Sequence, residues 1–284
     1  MQGRITKQIS NLYTVITDDK IVECSARGKF RNNGISPVVG DIVDINIDTK
    51  TIEEILPRKN ILNRPIVANI DIALIVTSVK KPDLSLILLD KLLVNVLANN
   101  IKPVICLTKL DLINKQELKE LKTIINYYKS IGVPVISNKQ KFKLKRTLKN
   151  NLVVLTGQSG AGKSSLLNRL NKDLNLKTSE VSDALNRGVH TTRHTEIYQF
   201  DKIYFVDTPG FSALDLTDVT VDQLKKVFLE FDNYHCSFSD CTHNNEKNCG
   251  VKEAIKNGKI LSSRYENYIR FLKEIHESSS KLYK

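Results

Sequence analysis

No apolar run in the 284-residue sequence approaches the roughly 20 residues that a membrane-spanning helix needs. The opening Met1-Gln2-Gly3-Arg4-Ile5 begins no signal peptide, so a cytoplasmic protein with no membrane partner is expected. Acidic residues are in short supply: 31 Asp and Glu face 43 Lys and Arg, leaving a net charge of +12. That imbalance favours polyanionic partners such as RNA, although Lys, Asn and Ile are abundant everywhere and lysine-rich codon bias would give the same sign. Cysteine is sparse, with five residues. Cys24 and Cys106 stand alone in apolar surroundings, as buried thiols do. The other three fall within fourteen residues near the C-terminus. In a reducing compartment that clustering points to metal binding and away from disulfides. What remains, 41% hydrophobic and 26% charged, is the composition of a globular protein long enough for two to three domains.

The chain is organised around Gly157-Gln158-Ser159-Gly160-Ala161-Gly162-Lys163-Ser164. An apolar run, Leu152 to Leu155, predicts a buried strand before it, and Ser165 to Leu170 has helical apolar spacing after it. Glycines let successive N–H groups point inward, and a helix N-terminus adds its positive end, so the pattern G-x-x-x-x-G-K-[ST] cradles phosphates. In that cradle Lys163 reaches the β and γ phosphates and the Ser164 hydroxyl ligates Mg²⁺.

Residues 1 to about 62 alternate apolar and polar in short runs, at 12–16, 20–24 and 41–47, separated by turn residues. They predict a small antiparallel barrel of the OB type, serving either as an RNA-binding domain or as a spacer, with Lys29, Phe30 and Arg31 as RNA contacts. Pro57 to Pro65 reads as a linker. The pattern then turns α/β: strands at 70–79 and 103–107, a helix at 84–97, another from about Lys115 to Ile131, and a strand at 133–136.

The strand at 103–107 delivers Thr108-Lys109-Leu110-Asp111 at its C-terminal end, where open α/β sheets bind ligands. Asp111 there can accept two hydrogen bonds from the N1–H and 2-amino edge of guanine, and adenine offers neither. Ser137-Asn138-Lys139 ends the next strand and would support the base. The lysine-rich stretch 139–149 is either an RNA-facing patch or, as the slightly favoured reading, a solvated connection. Residues 176–195 are polar and are expected to form a mobile loop containing Gly188-Val189-His190-Thr191-Thr192. A strand at 203–206 ends in Asp207-Thr208-Pro209-Gly210, 44 residues after Lys163, where Asp207 would support Mg²⁺ and Gly210 would offer an N–H to the γ-phosphate.

The base-reading motif precedes the phosphate loop, with Asp111 52 residues before Lys163. A packed sheet depends on which strands touch, so a circular permutation preserves the site. With that order, the chain resembles, over essentially its full length, the circularly permuted GTPases of the RsgA family, the small ribosomal subunit biogenesis GTPases. The resemblance implies an N-terminal OB-like barrel (1–64), a central permuted P-loop GTPase domain (65–218) and a C-terminal α-helical zinc module (219–284). It also implies Mg²⁺-dependent hydrolysis of GTP to GDP, stimulated by the small ribosomal subunit and serving that subunit's late maturation, with the subunit and its rRNA as partners of a monomer.

On that resemblance the nucleotide site comprises Thr108 to Asp111, Ser137, Gly157 to Ser164, Ser165, Thr192, Asp207 and Gly210, with Ser164 and Thr192 on magnesium. Thr108 departs from the family's usual Asn. Phe211 has no group to orient water where many GTPases carry glutamine, so His190 is the catalytic candidate. The alternatives are a GTP-sensing RNA-binding module without useful turnover and, disfavoured by Asp111, an ATP-using enzyme.

Cys236-x4-Cys241-x-His243-x5-Cys249 supplies three sulfurs and one imidazole. That set suits one tetrahedral Zn²⁺ with no open position, hence a structural ion. Residues 251–256 and 262–277 read as helices, with Arg264, Arg270 and Lys273 available for phosphates, and 278–284 as a flexible tail.

Overall fold

The computed structural model describes residues 1–28, 30, 34–63, 66–171, 195–207 and 216–282. Five strands open the chain: β1 (Gln2–Ile9), β2 (Leu12–Ile16), β3 (Ile21–Ala26), β4 (Ile42–Asn46) and β5 (Thr51–Ile55). β1, β2 and β3 pair antiparallel in sequence, β4 pairs with both β1 and β5, and a parallel β3–β5 contact closes the ring. This is the predicted barrel. Alternate residues fill it, among them Tyr13, Val15, Val22, Cys24, Val43, Ile45 and Ile52. Phe30 packs into the same core, so it is not the RNA contact expected of it. Lys29 and Arg31 lie outside the described residues.

The expected linker is instead built structure. β6 (Ile61–Asn63) and β7 (Ile66–Ala68) form a hairpin with Leu62 and Val67 buried. The Arg58 guanidinium donates to both carboxylate oxygens of the fully buried Asp41, at 2.7 and 2.8 Å. The Asn60 side chain donates to Ile70 O at 2.7 Å and accepts from Ile70 N at 2.8 Å. Prolines and cations signalled a flexible connection, but these anchors pin the segment between barrel and sheet.

The α/β sheet contains β8 (Ile72–Ser78), β9 (Lys102–Thr108), β10 (Val135–Ser137), β11 (Leu152–Thr156), β12 (Glu196–Phe200) and β13 (Ile203–Asp207), in the order β10-β9-β8-β11-β13-β12. All neighbours are parallel except β12, which pairs antiparallel with β13. The sequence reading did not contain β12. Its other edge meets β1, with Lys7 opposite Glu196 and their side chains 3.2 Å apart, so barrel and sheet run together as eleven strands.

Helices α1 (Leu86–Ala98), α2 (Lys115–Ser130), α3 (Lys141–Leu148) and α4 (Lys163–Leu170) flank this sheet. Helix α1 is apolar nearly all round, which marks a helix covered on more than one side. Leu89, Leu92, Leu93 and Val96 join the core of the sheet and barrel. Val94, with Ile87, Leu97 and Ala98, joins a second core formed by the C-terminal region. That region comprises α5 (Val221–Val227), a short 3₁₀ turn at Phe231–Asn233, α6 (Gly250–Lys256) and α7 (Ser262–Leu282). Reciprocal side-chain caps start α2 (Asn114 with Glu117) and α5 (Thr220 with Gln223). Helix α7 continues through the expected tail to Leu282, with Ser278 Oγ bonded to Glu274 O at 2.9 Å. Among the described residues, no helix is long and apolar enough to cross a membrane.

Candidate nucleotide and metal sites

Parallel pairing brings the C-terminal ends of four strands to one edge. Ser78 lies opposite Thr108, Leu107 opposite Ser137, and Ile75 opposite Thr156. The predicted groups Thr108 to Asp111, Ser137 and Gly157 to Ser164 therefore arrive together, and Asp207, which closes β13, ends at the same edge. The Asp207 side chain, Gly210, Phe211, His190 and Thr192 lie outside the described residues.

The phosphate loop is held tightly against β8. At Gly157, φ is +135° and a Cβ would sit 2.0 Å from Val76 O, so only glycine allows the approach. Gly162, at φ +92°, precedes the first turn of α4 in the left-handed region. Ala161 and Ser164 are buried, while Ser159, Gly160 and Ser165 face solvent. Lys163 Nζ donates to Gly157 O at 2.7 Å and Gln158 O at 3.0 Å. Burial pushes its ammonium below the usual lysine range, a shift that phosphate charge beside it would reverse.

Thr108 is buried under this loop. Its Oγ1 donates to Ala161 O at 2.6 Å, tying the predicted base-reading segment to the glycine loop. The sequence reading noted the departure from Asn at this position but missed the bond the hydroxyl makes. Lys109 adopts φ +58° and its Nζ bonds Lys81 O, setting its stem along the edge. Asp111 projects from the exposed turn Leu110–Leu112. At Ser137, the backbone N–H donates to Gln140 Oε1 at 3.1 Å, and its Oγ accepts from Lys139 N at 3.2 Å.

In the C-terminal region, the ligand atoms of Cys236, Cys241, His243 and Cys249 all lie within 4.8 Å of one another. Tetrahedral Zn²⁺ with ordinary bond lengths requires S–S edges of about 3.8 Å and S–N edges of about 3.6 Å. Cys236 and Cys249 sulfurs are 3.7 Å apart, and His243 Nδ1 is 3.5 and 3.4 Å from them. The donor set fits one zinc ion, ligated through Nδ1. Burial favours the neutral imidazole that a metal needs, lowering the His243 pKa. Burial also pushes the Cys241 thiol up to about 12, so its thiolate requires a cation beside it.

A polar shell fixes these ligands. Tyr265 OH donates to His243 O and Tyr268 OH to Thr242 O, each at 2.7 Å. Glu246 accepts from Thr242 N at 2.6 Å and Asn244 N at 2.8 Å. At Gly250, a Cβ would lie 2.2 Å from His235 O, so the chain after Cys249 can pass only as glycine.

Arg264, expected on a phosphate-binding surface, is instead 2% exposed. Its guanidinium donates to Asp90 Oδ1 at 2.7 Å and to Glu230 at 2.8 and 3.1 Å, and it lies 4.2 Å over the Phe228 ring. Asp90 also accepts from Tyr128 OH and Asn267 Nδ2, both at 2.6 Å. The two carboxylates hold the cation inside. Arg270 and Lys273 are exposed, as expected.

A glycine loop between β11 and α4, with the predicted base-reading segment arriving from the earlier strand β9, defines a P-loop GTPase fold of circularly permuted order. A profile described as RsgA GTPase matches residues 55–217, and one described as RsgA N-terminal domain matches residues 2–53. The chain belongs to the RsgA GTPase family.

It is 42% identical to the small ribosomal subunit biogenesis GTPase RsgA 1 of Listeria monocytogenes over 283 residues, covering 97% of each chain. The RsgA of Caldanaerobacter subterraneus is 41% identical, with 100% of this chain and 99% of that one covered. Among solved structures, YjeQ from Thermotoga maritima superposes with a TM-score of 0.85 at 37% identity, covering 96% of this chain and 98% of that one. YloQ, described as a circularly permuted GTPase, gives 0.81 at 35% identity, with 97% and 95% covered.

Proposed function

We propose that this chain is a Mg²⁺-dependent GTPase that binds the small ribosomal subunit and its rRNA, is stimulated by it, and assists its late maturation. The observation that carries the reading is the arrival of Thr108 to Asp111, Ser137 and Gly157 to Ser164 at one sheet edge, in permuted order. It works as a cytoplasmic monomer, with an RNA-binding barrel at 1–64, the GTPase domain at 65–218 and the zinc module at 219–284.

When bound, Mg²⁺ would supply charge neutralisation for the phosphates. Ser164 and Thr192 would hold the ion, with Asp207 supporting it. Lys163 reaches the β and γ phosphates, backbone N–H groups from Gln158 to Ser165 cradle them, and Gly210 offers an N–H to the γ-phosphate. Asp111 selects guanine, Lys109 packs along the base, and Ser137 supports it. His190 orients the attacking water in the subunit-bound state.

The test is phosphate release from GTP by the purified protein alone, with small subunits, and with large subunits. Stimulation by small subunits only is expected. In the His190→Ala variant GTP still binds and stimulated turnover falls by roughly 10²-fold or more. Tight GTP binding with no stimulation would replace this reading with the GTP-sensing module, and unchanged stimulated turnover in the variant would remove His190 from the mechanism.

A further inference from the structure

Phe142 is 89% exposed, more than any other large apolar side chain among the described residues. Helix α3 buries Leu144 and Leu148 with Leu166 and Leu170 of α4 against the sheet, so it already has its core face. Phe142 and Arg146, four residues apart, share the opposite face, and Lys149 follows at the end of the helix. Lys143 stands beside them, and Lys139 precedes the helix; all four cations are exposed. Residues 139–149 contain six cations and no carboxylate. Among the described residues, Lys145 alone of these cations is seen in an ion pair, with Asp201.

We infer that this face of α3 binds an unpaired segment of RNA, one base stacking on the Phe142 ring while Lys143, Arg146 and Lys149 hold the flanking phosphates. A fully exposed ring gains nothing in the free protein, and no second exposed apolar residue of α3 joins it to make a protein-docking patch. A nucleobase offers what the surface lacks, a flat π face, and its backbone brings anions to surrounding cations. Duplex RNA does not fit, because its bases are stacked on one another and only its phosphates and 2′-hydroxyls are offered. The inference deepens the proposed small-subunit function by assigning an RNA-contact surface to the GTPase domain, apart from the barrel.

The test uses the full-length protein with a short fluorescein-labelled single-stranded RNA and a blunt duplex of the same sequence, read by anisotropy. Phe142→Ala should weaken single-strand binding by roughly tenfold and leave the duplex nearly unchanged, with Phe142→Tyr restoring the wild-type value. Lys143→Gln with Arg146→Gln should lower the salt slope of single-strand binding by about 1.4. Unchanged single-strand affinity in Phe142→Ala, or an equal loss on both RNAs, overturns the inference. So does weaker sedimentation with small subunits alongside normal binding to both RNAs, which would make Phe142 a protein contact. Stimulation of the wild-type protein by small subunits is measured separately, so failure of the functional reading would be seen on its own.

Discussion

Replacing Arg264 by Met removes the only cation seen within hydrogen-bonding distance of Asp90 among the described residues, while keeping much of the side chain's apolar volume. Asp90 is fully buried in α1, and Tyr128 OH and Asn267 Nδ2 remain as neutral donors. Breaking a buried pair on one side costs about 3–5 kcal/mol, because a charge is left in a medium that solvates it poorly. The penalty depends on pH in a definite direction. Burial already raises the Asp90 pKa, with Arg264 the strongest influence opposing it, so the variant raises it further. A carboxyl whose folded value lies above its unfolded value contributes stability at low pH and loses it as pH rises through the folded value, at about 1.4 kcal/mol per unit.

The deficit of Arg264→Met should therefore be about 3–5 kcal/mol at pH 7.5 and become smaller as the pH is lowered toward 5. The chain has no tryptophan, so urea unfolding is best followed by far-UV circular dichroism, wild type beside variant at each pH. A deficit below 1 kcal/mol at pH 7.5, or one that is constant across the range, would refute the reasoning. Arg264→Met should also leave RNA binding at low salt unchanged, since the guanidinium is not on the surface.

The purified protein should carry one zinc ion per chain by metal analysis, and Cys249→Ala should lose it together with the helical signal of α6 and the docked start of α7; full helicity without metal would count against the site. Thr108→Ala removes the bond to Ala161 O and should weaken GDP binding about fivefold by fluorescent-nucleotide titration, the worth of one hydrogen bond near 1 kcal/mol, whereas unchanged affinity would deny the brace. Gly157→Ala places a methyl 2.0 Å from Val76 O, so nucleotide binding should fall by roughly 100-fold or more in protein that still shows native strand content; preserved binding would show that β8 yields.

What could be read in the sequence was local. The glycine loop, the four metal ligands and the apolar strands each sit in one short stretch, where spacing alone dictates geometry. What could not be read depends on partners far along the chain. Arg264 looked like any surface arginine of an amphipathic helix until Asp90, 174 residues earlier, was placed beside it. Asp41 and Asn60 turned the expected linker into a clasp, and β12 lacked a convincing period because only Ile197 of its five residues is buried. Phe142 had no signal of its own: an aromatic in a helix predicts burial, and only its exposure makes it informative.

Helix α1 bears on how nucleotide state could reach the zinc module. One route runs directly along the chain, a change at Asp207 to Gly210 on hydrolysis repositioning the C-terminal region that follows. Yet Leu89, Leu92, Leu93 and Val96 bind α1 to the sheet, while Val94 and its neighbours bind the same helix to the module. Asp90, on that helix, meets Arg264 and Asn267 of α7. A module swinging as a free domain would have to expose one of those two apolar faces and separate a buried ion pair. The interlock costs about 3–5 kcal/mol for the pair alone. Either α1 travels with the module, or the module keeps its seat and presents a fixed surface. Spectroscopic labels on α3 and α7 would separate the two: a constant distance between GTP-bound and GDP-bound protein is expected for the fixed seat, and Arg264→Met should then widen the distance distribution without shifting it between nucleotides.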